Sequence, residues 1–201
     1  PIDALRIAIG VRTSASPAHL AISSAELAVA ELIAHRELGE HSGRELELQE
    51  LLTGEPRPLP YVQALAACEL VLLHLDRGLL VDATAAFAQL ERIVVDDASG
   101  RGARTMLGRT GTLLSIEAGD LDQAARWANS IDDAFWAPIS RARMLRAAAD
   151  PAALDTATEA TPRNPRHHVI RDLLRATVTA ERELSAEWTQ SAVATALDHG
   201  M

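Results

Sequence analysis

The stretch EAGDLDQAARWANSIDDAFW, Glu117–Trp136, contains a Gly-Asp pair that is followed at fixed steps by small and bulky apolar residues. Counted from Gly119, the apolar positions five, nine and twelve residues on are Ala124, Ala128 and Ile131. Glycine can end a helix because it accepts a left-handed backbone conformation. A small residue five positions later lets the next helix pack closely on the first. The stretch therefore predicts the turn and second helix of a helical hairpin.

The same spacing occurs after Gly78, where DRGLLVDATAAFAQL places Ala83, Phe87 and Leu90 at steps five, nine and twelve. Gly39 lies 39 residues before Gly78, Gly119 lies 41 after it, and Ala149-Asp150 occupies the next predicted turn. These unequal steps are mostly longer than the 34 residues of a tetratricopeptide repeat. We predict an all-α fold, a right-handed solenoid of four to five degenerate tetratricopeptide-like hairpins.

The composition favours helix throughout the 201 residues, because hydrophobic residues make up 48% of the chain and aromatic residues only 3%. A core with so few aromatic residues must be built mainly from Ala, Leu, Ile and Val. No window shows the sustained alternation that is typical of strands. We interpret residues 1–201 as one helical-repeat domain and, since the chain begins at Pro1, as a piece of a longer protein.

The charge and the residue types exclude several functions. A net charge of −9 argues against direct binding of nucleic acid or of an anionic membrane. All 19 basic residues are arginine, so neither a Schiff-base lysine nor a phosphate-loop lysine is present. The single cysteine, Cys68, excludes an internal disulfide and is expected to be a small buried residue. We predict a cytoplasmic protein with no membrane span and no cofactor in this segment.

The motifs that resemble catalytic or metal sites depart from their templates. GRGARTMLGRT, Gly100–Thr110, has the wrong glycine spacing for a phosphate loop and no preceding strand. The adjacent His167 and His168 point about 100° apart on a helix, so they do not readily ligate one metal ion. Asp132 and Asp133 lie at a helix junction, where capping is the ordinary role. The prediction is a protein that is not an enzyme, with no catalytic residue and no metal site.

From the third hairpin on, arginines are in excess in the predicted first helices, whereas the predicted second helices are acidic. Residues 134–149 contain three arginines and no acid, whereas residues 120–132 contain three aspartates and one arginine. First helices of stacked hairpins usually line the concave face, where guanidinium groups could hold an anionic ligand or an acidic peptide. The candidate ligand-binding residues are Arg104, Arg109, Arg141, Arg143, Arg171 and Arg175, with Trp136 at the rim. The open alternative is that these arginines pair with acids of adjacent helices.

Four phrases of the sequence, GDLDQAARWA, LPYVQALAACELVLLHLDRG, PRHHVIRDLLRA and AVATALDHGM, are similar to a known family. They resemble the helical-repeat sensor region of large ATP-binding LuxR-family transcriptional regulators, the family of the maltose-regulon activator. The resemblance implies a bacterial three-part switch with an NTPase module, a helical-repeat sensor and a helix-turn-helix DNA reader. This segment would then be the sensor, and nothing in it matches the other two parts.

The resemblance also implies partners for this segment. A small-molecule inducer or a regulatory protein would bind the concave face, other domains of the parent regulator would contact it, and it could form a homo-oligomer. It transfers no ligand-binding residue to a numbered position. The alternative is a free-standing tetratricopeptide-like scaffold for protein–protein interaction. A helical enzyme is disfavoured because no nucleophile, paired acid or metal constellation is found.

Overall fold

The computed structural model describes residues 28–29, 31–33, 35, 43–53, 58–96, 100–179 and 181–199. These residues form helices joined by turns and contain no strand, which confirms the predicted all-α class. From residue 43 onward the helices are α1 Arg44–Thr53, α2 Pro60–Asp76, α3 Leu80–Asp96, α4 Arg101–Glu117, α5 Leu121–Asn129, α6 Trp136–Ala147, α7 Ala153–Thr158, α8 Pro165–Val178 and α9 Arg182–Asp198. None of the described helices is long and apolar enough to cross a membrane.

The chain divides into two compact units, residues 1–110 and 111–201. In the first unit, α1 and α3 both pack on α2 and, among the described residues, make no contact with each other. α2 begins with Pro60 and is buried around most of its circumference, because its sequence is apolar on nearly all sides. Cys68 is buried, as predicted, and its Sγ lies 3.0 Å from Oγ1 of Thr110 on α4.

The predicted helix ends at Gly78 and Gly119 are confirmed, with φ of 71° and 76°. At each glycine the chain makes the two backbone hydrogen bonds of a Schellman turn. At Gly78, the amide of Leu79 donates to the carbonyl of His74 at 2.8 Å, and that of Gly78 to Leu75 at 2.9 Å. Gly39, the first glycine of the predicted series, lies outside the described residues.

The third predicted turn has the same geometry with alanine in place of glycine. Ala149 has φ of 55°, its amide donates to the carbonyl of Arg146 at 3.0 Å, and the amide of Asp150 donates to Leu145 at 2.8 Å. An alanine in the left-handed region is uncommon, because its Cβ crowds the backbone. The turn predicted at Ala149-Asp150 is therefore present, although no glycine marks it.

The apolar positions predicted to be packed after Gly78 and Gly119 are all buried: Ala83, Phe87, Leu90, Ala124, Ala128 and Ile131. After Ala149 the same pattern moves one residue closer to the turn, so that Ala153, Ala157 and Ala160 are buried. The shift follows from hydrogen bonding, since the amide of Ala153 donates to Asp150 three residues back, whereas that of Ala124 donates to Asp120 four residues back. The tighter turn uses one residue fewer.

The second unit has a compact core between α6, α7 and α8. It is formed by buried side chains, Phe135, Ile139, Ala142, Ala157, Ala160 and Leu174. α8 also packs along α9, and α5 packs against α6. The small alanines let these helices approach closely, while Phe135 fills the space at the start of α6. This core sets the positions of the polar side chains at the helix ends.

Candidate functional site

The predicted ligand-binding arginines are divided between the two units. Arg104 is exposed and Arg109 half-buried on α4, in the first unit. The other four arginines and Trp136 belong to the second unit. That all six arginines share one concave face stays a prediction.

On α6, Arg141 and Arg143 have different surroundings. Arg141 Nη2 lies 3.6 Å from a carboxylate oxygen of Glu159, just beyond α7, as in the alternative that the sequence left open. Arg143 is half-buried and, among the described residues, has no ion-pair partner. Burial and the like charge of Arg146 lower the pKa of Arg143, which still remains cationic near neutral pH. Of the two, Arg143 retains more capacity to bind an anion.

Arg171 and Arg175 meet at the buried carboxylate of Asp172. Arg171 Nε donates to Asp172 Oδ1 at 3.0 Å, and Arg175 Nη1 lies 3.7 Å from the same oxygen. From α9, the Ser191 hydroxyl donates to the second oxygen at 3.1 Å. The Trp188 ring lies 4.2 Å from the Arg175 guanidinium carbon, a cation–π contact. This cluster joins α8 to α9, so part of the donor capacity of both arginines stabilises the unit.

Trp136 is the first residue of α6 and packs in an aromatic group. Its ring lies 4.8 Å from that of Phe135 and 5.5 Å from that of His167, both edge-to-face. The Phe135 and His167 rings are stacked at 3.8 Å. His167 is therefore part of a packed contact at the start of α8, and Trp136 is half-buried beside it. A role of Trp136 at a groove rim stays a prediction.

Asp133 caps α6, the ordinary role expected for an aspartate at this junction. Its Oδ1 accepts the backbone amides of Phe135 at 2.9 Å and Trp136 at 2.8 Å, and its Oδ2 accepts Arg163 Nη1 at 3.2 Å. Burial alone would raise the pKa of this carboxyl. The two backbone hydrogen bonds and the charges of Arg163 and His167 outweigh burial, so the pKa is lowered. The ionised Asp133 carboxylate therefore has a structural role, because it joins the start of α6 to Arg163 in the segment before α8.

The first unit contains a groove that the sequence did not indicate. It has a volume of about 450 Å³, within the range of ligand pockets. α2 forms its floor, and α1 and α3 form its two walls. The residues that line it are Glu45, Gln49, Leu52, Thr53, Leu70, His74, Asp82, Ala85, Ala86, Gln89 and Arg92. We call this feature the α1–α3 groove.

The α1–α3 groove carries opposite charges at its two ends. Arg77, at the end of α2, donates to Glu45 at 2.9 Å, which places Glu45 beside the α2–α3 turn. Asp82 lies near the same turn, in the first turn of α3. Arg92 is ten residues further along α3, a distance of about 15 Å at the helical rise. One end is therefore acidic and the other basic.

His74 is the buried polar residue of the groove floor. It is 4% exposed, and its Nδ1 has no hydrogen-bond partner. A buried polar group without a partner is uncommon and calls for a reason. The sequence does contain a signal, because His74 interrupts the apolar run of α2. A histidine in an apolar run does not by itself indicate a cavity. The structure shows that His74 lines the groove between α1 and α3.

The described residues contain no group of three or more His, Cys, Asp and Glu side chains that could hold a metal ion. Comparisons of the chain with protein-family models, with curated protein sequences and with solved structures find no match.

Proposed function

We propose that this chain is a non-catalytic sensor and protein-interaction domain of a bacterial LuxR-family ATP-dependent transcriptional regulator. It couples the binding of an inducer or partner to activation of DNA binding elsewhere in the parent protein. The observation that carries the proposal is the recurrent hairpin unit. A left-handed turn ends one helix, and small residues are buried along the next, at Gly78, Gly119 and Ala149.

The finer architecture in this proposal is a right-handed solenoid of four to five such hairpins in the cytoplasm. Small changes at each hairpin interface accumulate along a solenoid into a change of curvature. A ligand that binds one curvature more tightly shifts the population toward it, and the attached domains respond to that shift. The domain itself needs no cofactor for this role.

The alternative is a free-standing repeat scaffold that only binds other proteins. The complete reading frame separates the two. The sensor proposal expects a phosphate-loop NTPase upstream and a helix-turn-helix domain downstream. A complete frame that ends close to residues 1 and 201 would leave the scaffold as the function.

A biochemical test uses the purified chain. We expect no ATP hydrolysis and no sequence-specific binding of duplex DNA, because the segment has net charge −9 and no lysine. Filter binding and a phosphate-release assay measure these two activities. Sequence-dependent DNA binding that persists at high salt would show that the segment acts on DNA directly and would overturn the proposed division of labour.

A further inference from the structure

We propose that the α1–α3 groove binds a short linear peptide, about three residues long, with a free amino terminus and a free carboxyl terminus. The amino terminus lies at the acidic end, beside Asp82 and His74, and the carboxylate lies toward Arg92. The inference names a ligand class for the sensor proposed above. It is tested on this chain alone, without DNA or nucleotide, so it can fail while the proposed regulatory role stands.

The acidic end suits a protonated amine. Asp82 has no hydrogen-bond or ion-pair partner among the described residues. Glu45 already accepts from Arg77 at 2.9 Å, so the turn holds its carboxylate in place. His74 adds a buried imidazole whose Nδ1 is without a partner. An ammonium group has three donors and no acceptor, so it can donate to the carboxylate of Asp82. Glu45, which accepts from Arg77 and from Gln49, adds negative charge at the same end.

The opposite end suits a carboxylate. Arg92 is exposed on α3 and has no ion-pair partner among the described residues. Its guanidinium can bind a carboxylate through two parallel hydrogen bonds. The Cα positions of Asp82 and Arg92 are about 15 Å apart along the helix. A tripeptide spans roughly 10 Å when extended, and the two side chains reach toward each other over the remainder.

The middle of the groove suits a peptide backbone better than a hydrocarbon chain. Gln49 and Gln89 line the groove from opposite walls. Gln49 Nε2 donates to Glu45 Oε1 at 3.5 Å, so Gln49 offers mainly its amide oxygen, whereas Gln89 carries both a donor and an acceptor. Leu52, Leu70 and Ala86 supply apolar surface between them for small side chains. A peptide uses both kinds of surface, whereas a diamine or a fatty acid would leave the amides and one charged end without partners.

The experiment is isothermal titration calorimetry of the full chain with the probe trialanine. We expect saturable one-to-one binding. Two further probes each lack one terminal charge. N-acetyl-trialanine lacks the charged amino terminus, and trialanine amide lacks the charged carboxyl terminus. Each is expected to bind about tenfold more weakly, the usual effect of losing a charged hydrogen bond.

Two variants assign the direction in which the peptide binds. Asp82→Asn should weaken trialanine about tenfold and have little effect on N-acetyl-trialanine, since the interaction that it removes is already absent. Arg92→Gln should weaken the binding of trialanine about tenfold and have little effect on trialanine amide, which already lacks the carboxylate. Asp122→Asn and Arg126→Gln change the same residue types on α5, outside the groove, and should leave binding unchanged.

Circular dichroism of each variant establishes that it is folded. Three results would overturn the proposal: no saturable heat with trialanine up to 10 mM (roughly the weakest specific affinity worth assigning), equal affinity for the capped peptides, or equal loss in the α5 controls.

Discussion

The turn at Ala149 offers a direct test of the hairpin geometry, because its left-handed backbone carries an alanine where the equivalent turn carries Gly119. The two substitutions Ala149→Gly and Gly119→Ala exchange the side chains at equivalent positions. An alanine in the left-handed region is strained by about 1–2 kcal/mol. Glycine relieves that strain but restores about 0.4–1 kcal/mol of backbone entropy to the unfolded chain. The free energy of unfolding should therefore rise by about 0.5–1 kcal/mol in Ala149→Gly.

The converse change should lower the free energy of unfolding by a similar amount, about 1 kcal/mol. The structure isolates the backbone effect, because a Cβ added at Gly119 would meet no atom within 4 Å. No steric clash then contributes to the loss. Ala148→Gly is the matched control, since Ala148 is the exposed neighbour and has an ordinary helical φ of −79°. Glycine there should destabilise by about 0.5–1 kcal/mol.

Urea unfolding followed by circular dichroism at 222 nm measures all three variants. The expected order of stability is Ala149→Gly, then the original chain, then the two destabilised variants Gly119→Ala and Ala148→Gly. For a chain of this length, 1 kcal/mol corresponds to a shift of roughly 2–4 °C in the melting temperature. If Ala149→Gly proved no more stable than Ala148→Gly, Ala149 would not hold a strained left-handed conformation.

Three further predictions address packing and charge. Ala83→Leu should lower the free energy of unfolding by about 1–3 kcal/mol through overpacking, whereas Ala88→Leu, at an exposed position on the same helix, should be nearly neutral in thermal melts. Asp172→Asn should cost roughly 3 kcal/mol because two arginines lose their buried carboxylate, and Ser191→Ala only about 1 kcal/mol; equal losses in urea unfolding would contradict the assigned roles. The folded-state pKa of Asp133 is lowered, so its stabilisation is present above the ordinary value near 4 and is lost as pH falls through the folded value. The stability advantage over Asp133→Asn should therefore narrow in urea titrations below about pH 4, and a constant difference would argue against that link.

The sequence predicts the turns of this fold well because their signals are local. A small residue five positions after the glycine and apolar residues nine and twelve positions after it lie on one face of the next helix. Gly78 and Gly119 could therefore be assigned from spacing alone, and both have φ above zero. The one-residue shift after Ala149 could not be predicted. It depends on whether the first amide of the next helix bonds three or four residues back, and the offsets counted from the two glycines do not contain that difference.

The charged residues were harder to predict than the turns. The alternative, in which the arginines pair with acidic residues of adjacent helices, applies to Arg141, which forms an ion pair with Glu159. Arg171 and Arg175 instead share Asp172 of their own helix, and Arg171 is its immediate neighbour in the chain. Arg175 is three residues from Asp172, a spacing at which helical side chains meet, but neighbouring residues do not face each other, so spacing rules give no reason to join Arg171 to Asp172. The pairing depends on burial of Asp172 by α9, a contact between distant residues that a single sequence does not reveal.

The turn at Gly78 links the helical hairpin to the α1–α3 groove. Its left-handed residue reverses the chain within three residues, so Arg77 is held at the end of α2 and Asp82 follows in the first turn of α3. Arg77 in turn fixes Glu45 of α1 at the same end. The feature that identifies the hairpin in the sequence thereby also brings two carboxylates to the groove that His74 lines. A repeat of helical hairpins needs only the turn to be stable, whereas the acidic residues around it are free to vary. The specificity of such a domain is therefore expected in the residues beside its turns, which the packing pattern leaves unconstrained.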